Sequence, residues 1–403
     1  LGKHQKILTA AFHLATAELE TRTHQKNSGS GAHMNTKNVV ETLVDCRGVW
    51  KIFGDRAPAA MQAYRERGLT KTQILQDYGC VVGVSNVNLQ VRRGEIFCIM
   101  GLSGSGKSTL IRLLNRLIVP TSGEILVKGR DIAQLDAAAL REVRAKHIGM
   151  VFQSVALLPH RTVLENAAFG LEVQGLSKTK RHEVAGRALA KVGLSDWANR
   201  YPAELSGGMQ QRVGLARAIA SDPEVILMDE PFSALDPLIR RQLQDEFREL
   251  TKSLGKSAVF ITHDLEEAIR IGDRIAIMKD GVIIQEGTAE DIVLNPADDY
   301  VAEFVAGISR LHLVQAHSIM QPLAEYSARH PHENPELLQC AAPESDLDSL
   351  INLLIRSGHD AVGVRDNGTL LGVISQRDLL RAVQGVRDDE SHAQARTSVE
   401  GLV

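Results

Sequence analysis

The chain has 403 residues, enough for two or three domains with a sizeable core. Hydrophobic residues make up 44% and charged residues 24%, an ordinary globular balance, and the formal net charge of -3 offers no basic excess to attract nucleic acid. Cys46, Cys80, Cys98 and Cys340 form no C-x-x-C pair, which argues against a thiolate metal site or a disulfide frame and for reduced thiols in a cytosolic protein.

No apolar run approaches the roughly 18–20 residues of a membrane span, so action at a membrane would need a partner. The first residues show no secretory pattern. Residues 1–38 are expected to be a flexible extension, with a short helix over Ala10 to Leu19 and a linker at Asn27-Ser28-Gly29-Ser30-Gly31. From 39 to 307 strand-like apolar runs alternate with helical patterns, which predicts an α/β domain with a mostly parallel sheet. Ile96 to Met100, Val225 to Met228 and Ala258 to Ile261 are continuous rather than alternating, as expected of strands covered on both faces. His317 to Pro343 is rich in His, Pro and Glu and reads as a linker or a degraded half-domain. Order returns with a helix over Leu347 to Ser357. Two strands joined at Asp366-Asn367-Gly368 follow, then a helix capped by Ser375 with Asp378 three residues on. A second domain is expected over 308–384 and a polar tail over 385–403.

Gly101-Leu102-Ser103-Gly104-Ser105-Gly106-Lys107-Ser108-Thr109 satisfies G-x-x-x-x-G-K-[ST] between a strand and a helical run. Glycines allow backbone N–H groups to turn inward around phosphate oxygens, and the helix N-terminus adds partial positive charge. Lys107 is placed to reach β- and γ-phosphates, and Ser108 to coordinate Mg²⁺. Val225 to Met228 runs into Asp229 and Glu230. A strand ending in acids is a weak signal alone, but beside a phosphate loop it suits a metal carboxylate at Asp229 and a general base at Glu230. His263 follows a third strand and suits a group that contacts the γ-phosphate and orients Glu230, although a lone histidine there is more often structural.

Leu205-Ser206-Gly207-Gly208-Met209-Gln210-Gln211-Arg212 is the most specific string in the chain. It resembles the signature motif of ABC-type ATPases, and the resemblance extends across residues 39–307, with a helical subdomain at about 150–220. It implies a RecA-like core with an antiparallel β subdomain. Gln153 then matches the glutamine that senses Mg²⁺ and water and touches the coupling surface. Ser233-Ala234-Leu235-Asp236 matches the loop that crosses to a partner subunit, and His263 the switch histidine. Phe53 matches the aromatic that stacks on adenine, with Trp50 ranked second. The family's cofactors are ATP and Mg²⁺. Its mechanism implies a homodimer in which Lys107 and the rest of the phosphate loop face the partner's Leu205–Met209 segment across each ATP, with integral membrane permease subunits as further partners.

Two features resemble one subgroup, the ATPases of glycine betaine, choline and proline importers. One is the insertion from Gly54 to Val82; the other is the run Phe152 to Asn166. Such systems imply an extracytoplasmic substrate-binding protein and a peripheral position on the cytoplasmic face of the bacterial inner membrane. Leu353 to Gln384 resembles one half of a CBS-domain pair, implying either a regulatory lobe or a dimerisation lobe without ligand. An amino-acid importer such as one for methionine is the alternative substrate class. A soluble ABC ATPase would be expected to show two cassettes or coiled-coil heptads, and neither is present.

Overall fold

The computed structural model describes residues 41–332 and 334–385. The expectations for residues 1–38 and for the tail beyond Gly385 lie outside the described residues. The described chain opens with β1 (Thr42–Phe53), two insertion helices (Ala57–Arg67 and Lys71–Tyr78) and β2 (Val81–Arg92). With β4 (Ser122–Val127) and β5 (Arg130–Asp131) these strands form an antiparallel sheet in the order β2-β1-β4-β5.

The central sheet has six strands, β10 (Val282–Gly287), β9 (Arg274–Lys279), β3 (Ile96–Met100), β8 (Ser257–Thr262), β7 (Val225–Asp229) and β6 (Ile148–Val151), in that spatial order. All pairings are parallel except that of β10 with β9. The continuous apolar strands follow from burial on both faces. Along β3, Ile96, Cys98 and Met100 enter one core and Phe97 and Ile99 the other. The first core holds the helices Val163–Ala167, Lys178–Lys191 and Gly207–Ala220, together with the rings of Phe232, Phe247 and Phe260, whose centroids lie 5.8–6.5 Å apart. The second packs the helix Lys107–Leu114 between the central sheet and the antiparallel one through Leu110, Ile111, Leu113 and Leu114.

The C-terminal lobe is a smaller sheet of β11 (Gln321–Pro322), β14 (Thr369–Ser375), β13 (Ala361–Asp366) and β12 (Cys340–Ala341), in the order β11-β14-β13-β12. The β13–β14 hairpin turns on Asn367 and Gly368 with φ of +46° and +85°, the left-handed pair that a two-residue turn requires. Ser375 and Asp378 form the expected reciprocal cap on the helix Gln376–Gln384. The segment 317–343 is not a linker. It contributes both outer strands of this sheet and the helix Leu323–Arg329 between them. Strands of two residues are too short to leave a periodic signature in the sequence.

Phe247 is 1% exposed within the aromatic trio. Phe247→Ala is expected to cost about 3–5 kcal/mol, read as a lowered denaturant midpoint. An unchanged midpoint would mean that the trio is not a packed core.

Candidate nucleotide site

The parallel register decides what meets at the edge where the strands end. Met100 pairs with Thr262, and Ile261 with Asp229. The residues that follow, Gly101, His263 and Glu230, therefore leave the sheet side by side, where ligands of open α/β sheets are bound.

The loop after β3 is built on close approach. A Cβ on Gly101 (φ +151°) would lie 2.1 Å from the Met278 carbonyl oxygen, and one on Gly106 (φ +103°) 2.4 Å from that of Gly83. Gly104 also has a positive φ, +81°, but open space around it. Leu102 and Ser103 stand exposed at the tip, while Ser105 is buried. The tip of the β9–β10 hairpin braces the loop. Gly281 N–H donates to the Ser105 carbonyl (2.8 Å), and the Gly281 carbonyl accepts from Ser85 N–H (2.8 Å). This brace has little signature in the sequence. Its local signal was the Asp280-Gly281 dipeptide, a hairpin pair, but its contact with the loop spans 176 residues.

Lys107 is 4% exposed, and its ammonium donates to the carbonyls of Gly101 (2.7 Å) and Leu102 (3.0 Å). Burial pulls its pKa below the usual lysine value, while the nearby Glu230 and Asp229 carboxylates pull the other way. Ser108 Oγ donates to Asp229 Oδ1 at 3.0 Å, tying the phosphate-loop helix to the end of β7. Glu230 holds a left-handed φ of +43°, which costs a non-glycine residue about 1–3 kcal/mol. Its backbone is clamped there, with N–H donating to the Ile261 carbonyl (3.2 Å) and the carbonyl accepting from Ser233 Oγ (3.0 Å). His263 Nδ1 lies 3.1 Å from Glu230 Oε2. Gln153 reaches the same cleft, its amide donating to Ser233 Oγ at 3.5 Å. Arg112 and Phe152 complete its walls.

A second layer supports His263. Thr262 Oγ1 donates to the buried Glu267 carboxylate and accepts from Asp264 N–H (3.0 Å). Gln244 donates to the other Glu267 oxygen (2.9 Å). Burial raises the Glu267 pKa. Gln244 belongs to the helix Pro237–Ser253, which Asp236 caps by accepting from Ile239 N–H (3.1 Å). Nothing in the local sequence marks this network.

The remaining candidates lie apart from the cleft. Ser206 caps the helix Gly207–Ala220 and is exposed, while Leu205 is buried. A Cβ on Gly208 would stand 2.9 Å from Ile239, so the helix start passes close to that of Pro237–Ser253. Among the described residues no hydrogen bond joins Leu205–Met209 to the phosphate loop. Phe53 is 40% exposed. Its ring edge and the Thr109 methyl converge on Gly83, which puts Phe53 next to the first turn after the phosphate loop. Trp50 is 5% exposed and packed on Tyr64, centroids 4.4 Å apart, so the insertion takes it into a core.

Glycines whose Cβ atoms would strike backbone, a buried lysine, and a hydroxyl and carboxylate held together define a P-loop nucleotide-binding cassette. The ABC transporter family matches residues 84–233, and the CBS domain family matches residues 334–385. The chain is 46% identical over 365 residues to the glycine betaine/proline betaine transport system ATP-binding protein ProV of Salmonella typhimurium, covering 89% of each chain. It is 54% identical over 273 residues to the glycine betaine transport ATP-binding protein OpuAA of Bacillus subtilis, covering 68% of this chain and 65% of that one. Among solved structures, the dimeric post-hydrolysis state of the ATP-binding cassette MJ0796 bound to ADP and Pi matches with a TM-score of 0.51 at 33% identity, covering 61% of this chain and 98% of that one. The chain belongs to the ABC transporter family as an ATP-binding, ATP-hydrolysing subunit.

Gly106→Ala is expected to weaken ATP binding by an order of magnitude or more, because the new methyl group meets backbone. Gly104→Ala, strained only in φ, is expected to cost about 1–2 kcal/mol of stability and to retain most affinity. ATP titration and thermal unfolding of both variants would check this. Equal losses would remove the close-approach argument.

Proposed function

We propose that two copies of this chain close on two ATP molecules and thereby drive import of a compatible solute, such as glycine betaine, choline or proline. The solute would be delivered by an extracytoplasmic binding protein and would cross through integral membrane permease subunits. The chain would sit on the cytoplasmic face of the bacterial plasma membrane. Among its described residues no helix is long and apolar enough to cross a membrane. The named function of the relatives supports the solute class.

The observation that carries the mechanism is a division. Lys107, Ser108, Asp229, Glu230, His263 and Gln153 share one strand edge, whereas Leu205–Met209 is presented elsewhere with Ser206 exposed. One chain thus offers two half-sites, and ATP would be completed only between chains. The loop from Gly101 to Thr109 would wrap the phosphates with backbone N–H groups, and Lys107 would exchange its loop carbonyls for phosphate oxygens. Phe53 would stack on the adenine. The Asp236 loop and the partner's Ser206, Gly207 and Gly208 would close the far side. Ser108, Asp229 and Gln153 present the oxygen ligands that fit Mg²⁺, which when bound neutralises phosphate charge. Glu230 would accept a proton as water attacks the γ-phosphorus and the bond to the bridging oxygen breaks, while His263 holds the carboxylate in line.

Glu230→Gln is expected to keep ATP affinity, to lower hydrolysis by about 10²–10⁴-fold, and to accumulate an ATP-dependent dimer on size exclusion. Labelled betaine uptake in cells lacking the gene would be restored by the wild type and not by this variant. Monomer alone in ATP would count against the sandwich. Uptake of neither betaine nor choline would remove the solute assignment.

A further inference from the structure

The insertion between β1 and β2 is a motif that the proposed mechanism leaves without a role. It is a built element. Trp50, Ile52, Ala60, Met61, Ile74 and Cys80 form its core. Arg56 donates to the carbonyls of Tyr78 (3.1 Å) and Asp77 (2.9 Å), closing the two helices on each other. Thr70 and Gln73 form a reciprocal cap between the helices.

The first insertion helix faces Phe53 across an open groove. Its apolar lining is Ile52, Ala57 and Met61, all buried, with the exposed Pro58, and Phe53 stands at one side. Its polar rim is donor-rich. Lys51 lies 5.1 Å from the Phe53 ring centroid and donates to the Val119 carbonyl (2.8 Å). Arg65 spans the groove to Ser122 Oγ (2.5 Å). The groove is lined by two cationic side chains and no carboxylate. An exposed aromatic ring flanked by two charged donors matches the nucleoside half of a nucleotide. Its ring nitrogens and ribose hydroxyls are hydrogen-bond acceptors, and its faces stack.

We infer that the insertion helix Ala57–Arg67 forms the outer wall of the base site, with Arg65 donating from it to the base or ribose of the bound nucleotide. The inference rests on the reading of Phe53 as the base platform, and it adds a contact from outside the conventional cassette strands. Arg65 is a binding residue here. It contributes to holding the nucleoside and leaves the phosphates to the loop.

The test compares affinities of the full chain for ATP and for inorganic tripolyphosphate, which has the phosphates but no nucleoside, by calorimetry with Mg²⁺ present. Arg65→Ala is expected to weaken ATP binding about tenfold, the loss of one charged hydrogen bond, and to leave tripolyphosphate binding unchanged. Arg65→Met retains the aliphatic stem against the groove and is expected to show the same loss, separating charge from packing. Phe53→Ala tests the underlying reading. If it leaves ATP affinity unchanged, the base lies elsewhere and the inference falls with that reading. If Phe53→Ala weakens ATP alone while Arg65→Ala and Arg65→Met do not, the inference alone is overturned. Equal weakening of ATP and tripolyphosphate by Arg65→Met would also overturn it, because the residue would then act on the phosphate loop.

Discussion

The pairing of β3, β8 and β7 in parallel register is the constraint on which the site depends. Each strand contributes its chemistry at the residue after its last ladder bond: Gly101, His263 and Glu230. A shift of one residue would turn every side chain of the strand to the opposite core. It would exchange Met228 for Asp229 at the end of β7, and bury a carboxylate where a thioether packs. The two hydrophobic cores that hold the register therefore also position the carboxylates. Packing energy is converted into the 3.0 Å contact between Ser108 and Asp229.

Around that edge the structure holds several groups in costly states. Lys107 is buried, Glu230 has a left-handed backbone, and Glu267 is a buried carboxylate. Each is compensated by specific hydrogen bonds rather than by solvent, and the compensating partners come from different elements. Glu267 is satisfied from β8 through Thr262 and from the helix after Asp236 through Gln244. The His263 loop and the helix that begins at Asp236 are thereby joined. On the proposed arrangement, movement of the Asp236 loop against a partner chain is felt at His263 without a contact between the two.

What was legible in the sequence was chemistry carried by short strings. The phosphate loop, the acids after an apolar strand and the Leu205–Arg212 string each compress a candidate site element into fewer than ten residues, and the strands beneath the first two show burial on both faces directly. The Asn367-Gly368 hairpin and the Ser375–Asp378 cap were equally local. Contacts that depend on the three-dimensional path were not legible. The Gly281 brace lies far along the chain from the loop it supports. Trp50 and Phe53 are three residues apart with similar local context. The insertion packs Tyr64 against Trp50 and leaves Phe53 open, and that distinction is tertiary. The outer strands β11 and β12 are defined by their neighbours in the sheet rather than by any pattern of their own.

The additions to the cassette attach where they do not disturb the parallel register. The insertion adds two helices at the β1–β2 connection of the antiparallel sheet and packs them through a separate core. The C-terminal lobe follows β10 and the helices after it, joined by the Glu290 carboxylate accepting from Gln315 N–H (2.6 Å) and by Arg310 donating to the Val293 carbonyl (3.2 Å). Neither addition contributes a residue to the cleft of Asp229, Glu230 and His263. The placement of whole chains and the β9–β10 hairpin are two routes by which the C-terminal lobe can influence hydrolysis. The second route is short, because the turn between those strands carries the Gly281 N–H that holds the phosphate loop at Ser105. A displacement of β10 would reach the phosphate loop through one backbone hydrogen bond, whereas it would reach Glu230 only across three parallel strands of close-packed core.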